Sequence, residues 1–226
     1  MEKYISIDKY LNGDIIKMLI LDLHRKNNYK NILFVRTHTT GGWTDDLMID
    51  NNVTRIIYHV DKTKKNNSYN KSTISIDSAD LETTLKSIDK KYDLIALDPF
   101  HEYYESKRDL NLLSSFLTDD GILISHDCYP KSKEMAYPHF NQGSWCGETY
   151  IAFVEFAYNN PNMFYAVLNT DTGIGIISKS YFEPLKNNFD TEKQKILLLL
   201  HKESNDAYTY FSENSDTIIN AIHSNK

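Results

Sequence analysis

Tyr92-Asp93-Leu94-Ile95-Ala96-Leu97-Asp98-Pro99-Phe100-His101 and, one helix later, Gly121-Ile122-Leu123-Ile124-Ser125-His126-Asp127 are the two stretches that decide the fold. Each holds an apolar run too short for a helix and ends in acidic and imidazole side chains. Short runs that are apolar at every position read as strands buried on both faces, as in a parallel sheet. Two such strands deliver carboxylates and histidines to one edge, and that edge is where an open α/β sheet keeps its ligands.

The pattern extends in both directions. Upstream, the apolar residues from Ile15 to Leu23 fall mostly on one side of a helix that ends in Lys26-Asn27-Asn28. Asn31 to Val35 reads as a strand, Thr37-His38-Thr39-Thr40-Gly41-Gly42 as a turn, and Val53 to Val60 as a second strand stopping at Asp61. Lys62 to Lys71 is a polar surface loop, Thr73 to Ile76 a short strand, and Leu81 to Ile88 a helix. Glu105 to Leu117 forms an amphipathic helix between the two deciding strands.

Downstream, Cys128 to Gly147 is a long loop with Pro130, Pro138, Gly143 and Trp145, and loops of that kind carry function more often than filler. Glu148 to Tyr158 returns to helix; Phe164 to Leu168 and Ile174 to Ile177 make a hairpin at one edge of the sheet. The tail from Lys186 to Lys226 reads as helical, with Ile196 to Leu200 packing back. Strands alternating with helices at this spacing predict an α/β fold. The sheet expected is a doubly wound, mostly parallel, seven-stranded one with an antiparallel edge hairpin. Residues 1–180 are expected to form the α/β domain and residues 181–226 a helical extension packed on it.

A chain of 226 residues with 41% hydrophobic and 25% charged residues is ordinary for a globular protein with a large core. The net charge of −6 argues against a nucleic-acid partner, which would call for a basic face. Cys128 and Cys146 lack the spacing of a zinc cluster or a disulfide framework, so a reducing cytoplasmic setting is expected. Met1-Glu2-Lys3-Tyr4-Ile5-Ser6 has no basic region leading into an apolar one, and Ile196 to Leu200 falls far short of the ~20 residues of a membrane span. No membrane association is expected.

Several motifs follow one another in a telling order: Asp98-x-x-His101-x-Tyr103, Asp109 in the next helix, Gly121-x-x-x-x-His126-Asp127-Cys128-x-Pro130, Trp145-x-Gly147-Glu148, and Thr170-Asp171-Thr172-Gly173-Ile174-Gly175. Together they resemble the class I S-adenosylmethionine-dependent methyltransferases related to macrocin and other sugar O-methyltransferases. The resemblance spans Asn31 to Lys179, with its specific part beginning at Tyr92. One departure is visible. The family usually follows its first strand with an acid and two or more glycines, whereas here Phe34-Val35-Arg36-Thr37 comes first and the glycines wait until Gly41-Gly42.

The resemblance implies a Rossmann-like methyltransferase fold, S-adenosylmethionine as cofactor, and a divalent cation, magnesium or manganese. It also implies a small-molecule or glycan acceptor carrying a sugar or glycoside hydroxyl. Asp98 and Asp127 match the metal ligands and His101 the base that takes the hydroxyl proton, a role suited to an imidazole of unperturbed pKa ~6.5. His126 is expected either as a third ligand or as a partner that orients a neighbouring carboxylate. Thr37, Gly41, Asp61, Ser78 and Asp98 are the expected cofactor contacts, with Asp61 placed to take the ribose hydroxyls. Ser78 and Asp80 fit a helix N-cap better than a cofactor contact.

Tyr103, Trp145 and Glu148 are the expected acceptor contacts, with Tyr129, Tyr137, Phe140 and Tyr150 as further aromatic candidates, since rings stack on the apolar faces of sugars. Asp109 reads as structural, and His38 as a surface residue. Related enzymes are often oligomers, so a homo-oligomer is possible. The unusual first loop leaves room for an alternative, a methyltransferase-like fold that has lost catalysis and serves as a binding or assembly module. An iron-dependent hydroxylase is disfavoured by the lack of a His-x-Asp or His-x-Glu pattern.

Overall fold

The computed structural model describes residues 15–37, 52–60, 73–141, 143–203 and 206–223. Along them run α1 (Ile15–Asn27), β1 (Asn31–Thr37), β2 (Asn52–His59), β3 (Thr73–Asp77), α2 (Leu81–Ile88), β4 (Tyr92–Asp98), α3 (Tyr103–Ser115) and β5 (Leu117–Ser125). The second half comprises α4 (Thr149–Asn159), β6 (Phe164–Leu168), β7 (Ile174–Ser178), α5 (Thr191–Glu203), α6 (Ala207–Ile219) and β8 (Ala221–Ile222). The strands form one sheet in the order β3-β2-β1-β4-β5-β7-β6-β8. β1 to β5 are mutually parallel, β7 is antiparallel to both β5 and β6, and β8 is parallel to β6.

The uniformly apolar runs become the centre of this sheet because alternate side chains bury on opposite faces. Leu33, Val35, Ile95, Leu97 and Leu123 face a core shared with α2 to α6. Ile32, Phe34, Leu94, Ala96, Ile122 and Ile124 face the other layer, closed by Ile16, Leu19, Ile20 and Leu23 of α1 together with Phe182 and Leu185. Each fully buried aliphatic side chain contributes about 1.5–3 kcal/mol, so a strand apolar on both faces has its register firmly specified. α5 and α6 pack on each other and on α4, with Leu197, Phe211 and Ile218 joining Tyr150 and Phe153 in the first core. Among the described residues no helix is long and apolar enough to cross a membrane.

Two features differ from the sequence expectation. The β6–β7 hairpin is not the outermost element, because β8 adds beyond it. Asn220 makes the turn: it leaves α6 in the left-handed region at φ 55, and its side-chain amide donates to the carbonyls of Tyr165 at 3.2 Å and Pro184 at 2.9 Å. A two-residue strand has no periodicity to betray it. The second difference is that β5 starts at Leu117, where a helix end was expected. Tyr92 pairs with Leu117 and Leu94 with Ile122, so an irregularity absorbs the intervening residues, and exposed Asp119 and Asp120 disguise the extension.

Candidate active site

The carboxyl ends of β1, β4 and β5 lie side by side. Arg36 pairs with Asp98 and Leu97 with Ser125, and the His126 amide donates to the Leu97 carbonyl at 2.9 Å, carrying the ladder one residue past β5. Asp98 and Asp127 therefore emerge from neighbouring strand ends. Asp127 takes a left-handed conformation at φ 59, which Asp tolerates better than most residues. That kink turns its carboxylate back toward β4.

The side chains converge. His101 Nε2 lies 2.9 Å from Asp127 Oδ2 and 3.4 Å from Asp98 Oδ1. His126 Nδ1 lies 3.0 Å from Asp127 Oδ2 and 3.8 Å from Asp98 Oδ1. Asp98, His101 and Asp127 are all buried, and one donor atom from each falls within 4.8 Å of the others, a grouping able to hold a metal ion. His126 stands at the rim, its Nε2 turned toward Asp171 Oδ2 at 3.1 Å and Thr172 Oγ1 at 3.3 Å.

Burial without partners would make these charges costly, and the pairing reverses the sign of the effect. For Asp127, burial pushes the carboxyl up, but the His101 and His126 imidazoles outweigh it and hold it far below the usual carboxylate range. Asp98 is likewise raised by burial and lowered more by hydrogen bonds from His101 and His126, with a net downward shift. Burial alone would lower the His101 pKa; the Asp127 charge overcomes it and lifts the imidazole to about 9. His126 is raised well above its ordinary value for the same reason, with Asp171 assisting. In the ion-free state the cluster is thus two carboxylates facing two imidazolium rings.

Two loops hold this arrangement. The His101 carbonyl accepts the Glu148 amide at 2.7 Å, and Gly147 sits so close at φ 55 that a Cβ there would lie 2.1 Å from the same oxygen. The β6–β7 turn docks on the loop after β5 through Cys128 N to Gly173 O at 3.0 Å and Tyr129 N to Thr172 O at 2.9 Å. This docking brings Asp171 to His126. Asp171 therefore joins the site from a distant part of the chain, although in the sequence it reads as part of a turn and of the last motif in the resemblance, with no site role.

Trp145 is buried beside the cluster, with its ring 5.1 Å from that of His101, 5.6 Å from Phe100 and 5.3 Å from exposed Phe140. Its indole N–H donates to the Tyr137 carbonyl at 2.6 Å. Tyr150 and Tyr129 instead pack against Phe211 of α6, at ring distances of 4.7 and 5.4 Å. Tyr103 donates its hydroxyl to Glu155 at 2.5 Å and rests its ring on His201, 4.5 Å away. Glu148 pairs with His201 Nε2 at 3.0 Å. Tyr103, Glu148, Lys107, Glu155 and His201 line a cavity of about 440 Å³ between α3, α4 and α5. Nothing in the sequence marks His201, since its partners come from distant helices.

Thr37 is fully buried at the end of β1, and Arg36 beside it is 6% exposed with Nη1 donating to the Thr37 carbonyl at 2.9 Å. Ser78 opens a single 3₁₀ turn before α2, and neither Asp77 nor Asp80 makes a side-chain cap hydrogen bond there. Gly41, Asp61 and His38 lie outside the described residues. Cys128 and Cys146 are both buried free thiols.

Residues 16–128, half of the chain, match the family model described as a methyltransferase domain. No curated protein sequence matches. Among solved structures, a Staphylococcus aureus protein described as a caffeoyl-CoA O-methyltransferase is similar at TM-score 0.53 and 21% identity, covering 77% of this chain and 88% of that one. An O-methyltransferase from Bacillus cereus, solved in complex with SAH, gives TM-score 0.51 at 11% identity over 75% and 83%. A Klebsiella pneumoniae protein described as an O-methyltransferase gives 0.50 at 15% over 74% and 83%. These likenesses agree in fold with the Rossmann-like sheet described above. By its matched half and by the carboxyl edge that half builds, the chain belongs to the methyltransferase-domain family.

Proposed function

We propose that this chain transfers the methyl group of S-adenosylmethionine to a hydroxyl of a sugar or glycoside, with a magnesium or manganese ion held by Asp98, His101 and Asp127. The observation that carries the proposal is the convergence of two buried carboxylates and an imidazole at adjacent strand ends, donor atoms within 4.8 Å. Two oxygen donors and one nitrogen suit a hard or borderline divalent ion. When bound, the donor supplies an electrophilic methyl group and the cation lowers the pKa of a hydroxyl beside it.

The protein's own groups have separate tasks in this reading. Asp98 and Asp127 supply the negative charge, and His101, only 7% exposed, closes the donor set from behind. His126 is nearer the rim, with Asp171 on its Nε2; with a cation neutralising Asp98 and Asp127, its Nδ1 would give up its proton and would be the atom that takes the one released by the acceptor hydroxyl. These tasks exchange the two histidines relative to the sequence expectation, because His101 is boxed in by Asp98, Asp127 and Trp145. Exposed Phe140, backed by buried Trp145, offers an apolar platform for a sugar face, and Glu148 and Tyr103 border the neighbouring cavity. Thr37, Ser78 and Asp98, at or just past the carboxyl ends of β1, β3 and β4, are candidate donor contacts, with Gly41 and Asp61 proposed from the sequence alone.

The test is transfer of labelled methyl from S-adenosylmethionine to a panel of glycosides, with and without a chelator. Labelled product that disappears on chelation and returns with magnesium or manganese is expected. Transfer indifferent to chelation would remove the cation from the reading. Absence of any heat on titrating S-adenosylhomocysteine would instead favour a methyltransferase-like binding module.

A further inference from the structure

Behind the cluster lies a second polar network. Tyr58, near the end of β2, is fully buried. Its hydroxyl donates to Asp109 Oδ2 at 2.5 Å and accepts the Phe100 amide at 2.9 Å. Asp109 lies on α3, is 0% exposed, and receives Arg108 Nε at 2.9 Å and Nη2 at 2.7 Å on its other oxygen. The Arg108 guanidinium also sits 5.4 Å over the Tyr58 ring.

Phe100 stands between Asp98 and His101, so its peptide sets how far apart those side chains are launched. From the other side, Ser106 Oγ donates to the Phe100 carbonyl at 3.3 Å and meets Thr149 Oγ1 at 3.2 Å. The short loop after β4 is thus gripped at both polar atoms of a single residue. The amide grip is the costly one, since it buries a carboxylate and a phenol that burial drives upward, Asp109 to about 6. An apolar pair would close the same space at less cost, so core packing alone gives no reason for it.

We infer that Tyr58, braced by Asp109, is a positioning residue that holds the Phe100 peptide and thereby the spacing of Asp98 and His101. The inference rests on the proposed cation site, and it also ties the end of β2 to the loop after β4. A donor-side strand and a cation-side loop then share one hydrogen-bond chain. Tyr58→Phe deletes the hydroxyl while keeping the ring, and Asp109→Asn keeps an oxygen acceptor while removing the charge.

The experiment titrates manganese and, separately, S-adenosylhomocysteine into the full chain, and follows amide hydrogen exchange over residues 98–104. For Tyr58→Phe the expected result is manganese affinity about tenfold weaker, in the range seen when a group that orients a ligand is lost, with a smaller loss of S-adenosylhomocysteine affinity. Exchange at residues 98–104 is expected to quicken about tenfold while α1 exchanges as before. A folded Tyr58→Phe variant with unchanged manganese affinity and unchanged exchange overturns the inference. If Tyr58→Phe does not fold, Asp109→Asn decides: weaker manganese binding supports the inference, and unaltered binding with quicker exchange everywhere refutes it. Should the unaltered chain take up no manganese, the cation reading fails instead, and exchange at residues 98–104 alone judges the positioning role.

Discussion

His101 Nε2 and Asp127 Oδ2 meet at 2.9 Å across the gap between two neighbouring strand ends, and His126 approaches the same carboxylate oxygen at 3.0 Å. One acidic group thus anchors both imidazoles. Asp127→Asn removes that anchor without changing the shape of the side chain. Manganese binding measured by calorimetry should drop by at least about 100-fold, beyond the effect of losing a merely orienting group. At pH 6 the ion-free variant should also lose about 3–5 kcal/mol in denaturant titration, the cost of breaking a buried pair. At pH 9 that loss should shrink, because the histidines can then shed their protons.

The same pairing sets a pH dependence. His101 has its folded pKa raised to about 9, against an unfolded value near ~6.5. A raised basic group contributes stability that is complete below the unfolded pKa and disappears as pH climbs through the folded one. The ion-free chain should therefore lose stability between about pH 6.5 and 9, by an amount on the order of 3 kcal/mol from His101. Asp127, shifted the other way, contributes stability above the unfolded carboxylate pKa that is lost toward stronger acid. Thermal melts across this range with chelator present test the slope. A flat profile from pH 6.5 to 9 would mean that the imidazole is not paired in solution.

The two histidines can be told apart. His101→Ala deletes a donor whose nitrogen touches both carboxylates, whereas His126→Ala removes a ring that faces Asp171 and Thr172 on its far side. Manganese affinity should collapse in the first variant and fall by no more than about 10–100-fold in the second. The rate of methyl transfer at saturating manganese should fall further in His126→Ala, by roughly 10²–10⁴-fold for a lost proton acceptor. Equal manganese affinities in the two variants would break the assignment.

The carboxyl edge was legible because Asp98, His101 and Asp127 directly follow apolar runs, and burial on both faces admits one register. The bounds of α2 and β6 also match the periodicity, Leu81–Ile88 and Phe164–Leu168. What escaped was long-range. Asp171 reaches His126 through a turn docked on the loop after β5, and Tyr58 reaches Phe100 from another strand. Periodicity marks neither contact, since it reports which face is apolar and not which distant polar group will meet it. Tyr150 shows the same limit: at 2% exposure its ring packs α4 on α6, a contact that no local pattern announces.

Gly147 offers the sharpest probe of how the loop after β5 supports the cluster. It holds φ 55, and a Cβ built there would lie 2.1 Å from the His101 carbonyl oxygen and 2.8 Å from its carbon. No rotamer relieves such a contact, because both atoms belong to backbone. The loop must move away from His101, and the Glu148 amide loses the carbonyl it now binds at 2.7 Å. Left-handed strain together with overpacking should destabilise Gly147→Ala by about 2–5 kcal/mol. Because the displaced carbonyl belongs to His101, manganese affinity should weaken as well, even under conditions where the variant is fully folded. By contrast, Gly143→Ala also carries a positive-φ penalty, at φ 104, but with nothing within 4 Å of its Cβ. It should cost stability alone, so a matching fall in manganese affinity there would show that loop strain, and not displacement of His101, governs the site.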